Sequence, residues 1–389
     1  MSGRTMLLAA CLIATAGSAS ADPTTIGSLR FLGASSIPND AMVDGTLVGG
    51  LSGLDYHPAT DTWAIISDDK SDKAPARFYL GRIDLTRIDL TRTDLTAGKP
   101  KVTLDHAVVL QQADGKPYPN AKAPSVQKGG EVPDPESIRF EPSGAALWWS
   151  TEADRKLGVS PFVRETGRDG TFKADLALPP MFKIGKDPER GPRNNLGFEG
   201  LSFTPQQDAL WLGMESALIE DGPIATTSAG TVSRFSKFDK SGKLLGQYAY
   251  PVDPIQAVPK GKNADNGVSE ILALDDNRLL VLERSGVDGA DGIWTLYIRI
   301  YQADVGDSTN VADIPALAGA NYRPMTKRLL LDLSKLPELG SAALPKIDNI
   351  EGMSFGPDLP NGHRSLVLVS DNNFNPDQIT QFLAFEVLP

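Results

Sequence analysis

Five residues of two chemical kinds, Ser52, Glu136, Glu199, Ser269 and Glu351, occupy one position in a phrase that the chain repeats five times. The copies span residues 51–58, 135–142, 198–205, 268–275 and 350–357, and all but the fourth, which has Glu270 in third place, run apolar, polar, small, apolar before a turn. Matching Asp275 to Pro58, Pro142, Pro205 and Pro357 selects Ser269 in the fourth copy, whereas a slip of one residue would select Glu270. After the turn comes a second apolar run that ends in Asp68, Glu152, Glu215, Arg284 or Asp371. Each phrase with its partner run is a β-hairpin, and its second strand returns to the face from which the first began.

Three carboxylates converging on one axis repel one another. At a separation of about 5 Å and an effective dielectric near 20, each like-charge pair costs roughly 3 kcal/mol. Either the acids hold protons or a cation sits among them. All-oxygen donors without histidine or cysteine select a hard ion, and a flexible ring completed by water suits calcium better than magnesium. Ser52, Glu136, Glu199, Ser269 and Glu351 are therefore the candidate Ca2+ ligands. Asp68, Glu215 and Asp371 at the same mouth are candidates to orient or deprotonate a water. Arg77, Arg155, Arg193 and Arg284 are candidates for the oxygens of a phosphate ester, since arginine beside a metal is a common way to hold such groups.

Repeats at intervals of 84, 63, 70 and 82 residues describe an array of like units rather than a string of domains. Further strand signals follow each hairpin: 77–80 and 102–110, 159–163 and 172–178, 232–238 and 244–250, 295–301 and 327–333. After the fifth hairpin only 379–387 remains, and residues 29–33 near the N-terminus supply the missing outer strand. The expected fold is all-β, a single β-propeller of five four-stranded blades closed by that N-terminal strand, with six blades as the alternative. Innermost strands of a propeller line a central channel, which turns five equivalent positions into a ring. Residues 70–76, 112–134, 182–196, 253–267 and 306–323 read as long loops. The tandem repeat over 83–96 reads as a strand running into an expanded loop, and the tryptophans Trp63, Trp148, Trp149, Trp211 and Trp294 as core between blades.

The N-terminus reads as a secretory signal over residues 1–21, cut before Asp22, with the propeller over 22–389 and a periplasmic or secreted product. Cys11 is the only cysteine, so the mature chain has no disulfide, thiolate nucleophile or zinc-thiolate site. A net charge of -11 disfavours nucleic acid and anionic membrane as partners and suits a protein that holds cations. No later apolar run is long enough to span a bilayer. The expected partner is a small anionic substrate, met by a monomer.

The phrases at 49–55 with 67–69, 197–201, 268–272 with 282–285, and 349–352 with 370–374 resemble the phytase-like β-propeller family described as having esterase-like activity of phytase. The resemblance implies a secreted propeller acting on phosphate esters. The Ser, Glu, Glu, Ser, Glu order is also similar to the central calcium site of five-bladed calcium-dependent apyrases. The expected function is a calcium-dependent phosphoric-ester hydrolase using a metal-activated water, with a non-catalytic calcium-stabilised binding module and a metal-dependent lactonase as alternatives. Residues 352–356 match the Gly-x-Ser-x-Gly pattern of serine esterases, but Ser354 sits at an alternating position of a repeated strand, where that motif has no mechanical meaning. His57, His106 and His363 fall away from the mouth and offer it no base.

Overall fold

In the computed structural model, which describes residues 25–88, 98–126 and 130–389, the strands form five four-stranded antiparallel sheets and one small hairpin. The proposed signal segment, and residues 89–96 of the tandem repeat, lie outside the described residues. Blade 1 is built from β4 (Leu51–His57), β5 (Thr62–Ser67), β6 (Arg77–Asp84) and β7 (Lys101–Val109). Blade 2 holds β8 (Pro135–Phe140), β9 (Ala146–Thr151), β10 (Val163–Gly167) and β11 (Phe172–Asp175). Blade 3 holds β12 (Phe198–Phe203), β13 (Ala209–Met214), β14 (Thr231–Asp239) and β15 (Leu244–Val252). Blade 4 holds β16 (Ala264–Ala273), β17 (Arg278–Asp288), β18 (Trp294–Asp304) and β19 (Thr326–Asp332). Blade 5 combines β20 (Asn349–Phe355), β21 (Ser365–Asp371) and β22 (Thr380–Leu388) with β1 (Ser28–Ile37) as its outer strand. The small hairpin is β2 (Met42–Val43) with β3 (Thr46–Leu47).

The ring closes because the innermost strands touch in order: β4 meets β8, β8 meets β12, β12 meets β16, β16 meets β20 and β20 meets β4. Five apolar clusters fill the five spaces between blades. Alternation along a single strand explains how one sequence feeds two of them. In β5, Trp63 and Ile65 pack toward blade 5, while Ala64 and Ile66 pack toward blade 2. A strand covered on both faces reads as a continuous apolar run rather than an alternating one, which is why the repeated phrases are so apolar.

β1 pairs antiparallel with β22 from Ser28 opposite Leu388 to Ile37 opposite Thr380, so the N-terminal strand closes the last blade as the sequence predicts. Two expectations need correction. The third strand of blade 2 is 163–167 and not 159–163, because Val159 instead bridges Asp154 in a short turn ahead of it. Residues 264–267, read as loop, continue β16 upward and pair with β17 as far as Ala264 opposite Val287.

Candidate metal and substrate site at the propeller mouth

Every innermost strand carries a β-bulge at the same place. The pairing registers jump from Leu51 to Gly53, from Pro135 to Ile138, from Phe198 to Gly200, from Val268 to Glu270 and from Ile350 to Gly352. The skipped residues are Ser52, Glu136 with Ser137, Glu199, Ser269 and Glu351, so the five candidate ligands are the bulged residues of five equivalent strands. A bulge leaves its residue unpaired and re-aims its side chain, a device common beside functional sites. The register also selects Ser269 over Glu270. Ser52, Glu136, Glu199 and Ser269 are buried, and the Glu351 side chain is 12% exposed.

Below this ring the axis is sealed. Arg139 donates to the carbonyls of Leu54, Ile138, Ile271 and Met353, and its guanidinium pairs with Glu270 at 2.7 Å. Glu270 in turn accepts from Ser137 Oγ and from the amides of Leu201 and Ile271. One residue from each blade thus meets a single ion pair on the axis, and the mouth is a blind cup. Nothing in a one-dimensional repeat marks which alternating residue reaches the axis, so the role of Arg139 is not legible in the sequence.

The ends of the second strands rim the cup. Opposite the start of each bulge lie Ser67, Thr151, Met214, Glu283 and Ser370, each followed by one of Asp68, Glu152, Glu215, Arg284 and Asp371. Two glycines make room for these side chains. A Cβ on Gly50, at φ +63, would lie 2.0 Å from Asp68 Oδ1, and one on Gly267 would lie 2.5 Å from Glu215 Cγ. Asp371 accepts from the Asn373 amide at 2.7 Å and from Asn349 Nδ2 at 3.3 Å. Glu152 accepts from the Gly197 amide at 2.5 Å.

Carboxylate oxygens of Asp134, Glu136 and Glu152 all lie within 4.8 Å of one another, as do those of Glu152, Glu199 and Glu215. Glu152 therefore links two acidic triads. Asp134 escaped the sequence reading because its Pro-flanked phrase reads as loop. Against these acids stand two cations. Arg284 lies 3.6 Å from Glu351, 3.7 Å from Glu215 and 3.9 Å from Asp265. Lys70 pairs with Asp134 and donates to Asn195 at 3.0 Å, and it too went unnoticed in the sequence.

Burial and mutual repulsion raise the acids together. Desolvation, then Glu199 and Asp134, push Glu136 well above the carboxylate range, and desolvation, then Glu152 and Glu215, do the same to Glu199. Desolvation with Asp134 raises Glu152 to about 8, and desolvation with Glu351 raises Asp371 to about 8. Asp68 and Glu215 rise for the same reasons.

Three of the four candidate arginines are committed elsewhere. Arg77 is fully buried and bonded to Asp69, Tyr79 and the Leu47 carbonyl. Arg155 donates to the carbonyls of Pro188, Arg190 and Pro192, and Arg193 to those of Ala217 and Gly222. Arg284 alone enters the cup. Ser354 is buried and donates to Asp55 at 3.0 Å and to the Phe355 carbonyl. His57 turns to Thr60 and His363 to Glu386, so no histidine neighbours that serine in this network.

A family model described as phytase-like, esterase-like activity of phytase, matches residues 46–374. The chain belongs to this phytase-like family. An uncharacterized secreted protein of Arthroderma benhamiae is 28% identical over 165 residues, which cover 38% of this chain and 31% of that protein. The chain thus spans about a third of that relative's length. The β-propeller domain of the Trilobed protease from Pyrococcus furiosus is 7% identical over 86% of this chain and 68% of that one, at a TM-score of 0.27. A putative oxidoreductase (glucose dehydrogenase) from Thermus thermophilus is 12% identical over 93% of this chain and 98% of that one, at a TM-score of 0.32. Neither likeness bears on function.

Proposed function

We propose that this member of the phytase-like family is an exported, calcium-dependent phosphoric-ester hydrolase whose active site is the blind cup at the propeller mouth. The observation that carries this reading is the imbalance of charge there. Asp68, Asp134, Glu136, Glu152, Glu199, Glu215, Glu351 and Asp371 are offset by Arg284 and Lys70 alone among the described residues. The donor set fits calcium. It is all oxygen, it comes from five separate bulges, and it sets the buried Ser52 Oγ beside the Glu351 carboxylate. Ser52, Glu136, Glu199, Ser269 and Glu351, supplemented by Glu152, would hold the ion, which when bound offsets the carboxylate repulsion and polarises a phosphoryl oxygen.

The chain's own groups supply the rest. Arg284 is positioned to take an anionic oxygen at the ring, with Lys70 on the opposite side. Asp371, fixed by the Asn373 amide and Asn349, is oriented to accept a proton from water, and Glu215 and Asp68 are the other candidate bases. The signal-like pattern of residues 1–21 and the secreted relative support export. No helix among the described residues is long and apolar enough to cross a membrane.

A second reading, a calcium-stabilised ligand-binding module without turnover, draws support from the commitment of Arg77, Arg155 and Arg193 to protein acceptors. Phosphate release from p-nitrophenyl phosphate and ATP, with calcium and with chelator, separates the two. Calcium-dependent release is the expected result, and binding without release would favour the module.

A further inference from the structure

Blade 4 is the only blade whose inner hairpin rises past the ring among the described residues. The other inner hairpins stop pairing at Leu51, Pro135, Phe198 and Asn349, whereas β16 and β17 pair up to Ala264 opposite Val287. At about 3.4 Å per residue, the extension stands roughly 17 Å above Ser269. Its face can be read from the register. Directly opposed residues share a face and faces alternate along a strand. Asp288 opposes Trp294, Gly286 opposes Leu296 and Arg284 opposes Ile298, so Trp294 and Arg284 look out from the same side. Leu296 and Ile298 on that side join the cluster shared with blade 5, so this face is turned toward blade 5 and rises above its top edge.

Trp294 lies against Gly286. A Cβ there would sit 2.7 Å from the indole Cε3, so only glycine admits the ring. No β17 side chain stands between indole and Arg284, which lie about two residues apart along the strand, roughly 7 Å, and the Asp265 carboxylate flanks this gap, accepting from the Gly286 amide at 3.0 Å and lying 3.9 Å from Arg284. On β16, Gly267 opposes Arg284 and Asp265 opposes Gly286. Unlike Trp63, Trp149 and Trp211, which are at most 1% exposed, Trp294 is 43% exposed, and Ile293 beside it is 69% exposed. The sequence reading of Trp294 as core between blades is thereby overturned. An exposed indole about two residues above Arg284, the one arginine in the cup among the described residues, is a platform facing a charge.

We infer that Trp294, seated on Gly286, forms a subsite for the planar aromatic portion of a phosphate ester whose anionic end meets Arg284. The inference rests on the phosphoester reading and adds the substrate class: aryl phosphates or nucleotides, in preference to bare phosphate or aliphatic esters. Ring stacking supplies the selectivity.

Calorimetric titration with phenyl phosphate and with inorganic phosphate, in calcium, tests it without requiring turnover. The parent should bind phenyl phosphate about 3- to 10-fold more tightly than phosphate. Trp294→Ala should abolish that difference and leave phosphate affinity within about twofold, Trp294→Phe should keep most of it, and melting temperatures should confirm that both variants fold. A parent with no preference for phenyl phosphate, or a Trp294→Ala variant that retains it, overturns the subsite alone. Failure of the parent to bind either ligand overturns the phosphoester reading and the subsite with it.

Discussion

Asp371 is held by a backbone amide and by Asn349 at the edge of the cup, whereas Ser354 is buried in a strand and bonded to Asp55. Asp371→Asn should therefore lower phosphate release by about 10² to 10⁴. In chelator the same variant should melt no lower than the parent, because it removes one of several repelling acids. Ser354→Ala should cost about 1 kcal/mol of stability for its lost hydrogen bond and leave activity within about twofold. Labelling of Ser354 by a fluorophosphonate with loss of activity would reverse this assignment. Gly50→Ala combines a left-handed backbone with a Cβ driven into the Asp68 carboxylate. It should cost at least about 1–2 kcal/mol, read by melting, and lower phosphate release as Asp68 is displaced.

At the scale of the element, the ion pair on the axis does what no single blade can. Arg139→Met leaves Glu270 buried without its counter-charge and should destabilise by about 3–5 kcal/mol, while replacing both with apolar residues should restore much of the loss. The outer strand β1 is the other shared element. Deleting residues 28–37 exposes β22 as an edge and should give an insoluble chain or a much lower melting temperature. A truncated chain that melts like the parent would contradict closure by this strand. The hairpins and the ring were legible in the sequence because a bulge between two apolar runs leaves a fixed signature, repeated five times. The upward extension of β16 was not, since Asp265, Asn266 and Gly267 have low strand propensity and form strand here only through pairing with β17. Asp134 and Lys70 were hidden for a related reason: both come from loops, whose course is set by neighbouring blades and not by local pattern.

For the molecule as a whole, the cup couples stability to pH and to the cation. Glu152 and Asp371 titrate near 8 when folded, and Glu136, Glu199, Glu215 and Asp68 are also raised above their ordinary values. A raised carboxyl favours the folded state fully below its unfolded pKa, and that stability is lost as pH rises through the folded value. In chelator, the melting temperature should therefore fall as pH increases from about 4 to 8. Calcium should flatten that decline, because it takes the place of the protons and stabilises the folded state by mass action. A melting temperature that rises with pH in chelator would count against the buried, repelling cup.

The most direct test of the cup as a calcium site is a calorimetric titration of calcium into chelator-stripped protein at pH 7, repeated in two buffers of different ionisation enthalpy. Saturable binding with net release of protons to the buffer, weakened in Glu199→Gln, is the expected result. An absence of calcium binding, or binding with no proton release and unaltered in Glu199→Gln, would contradict it.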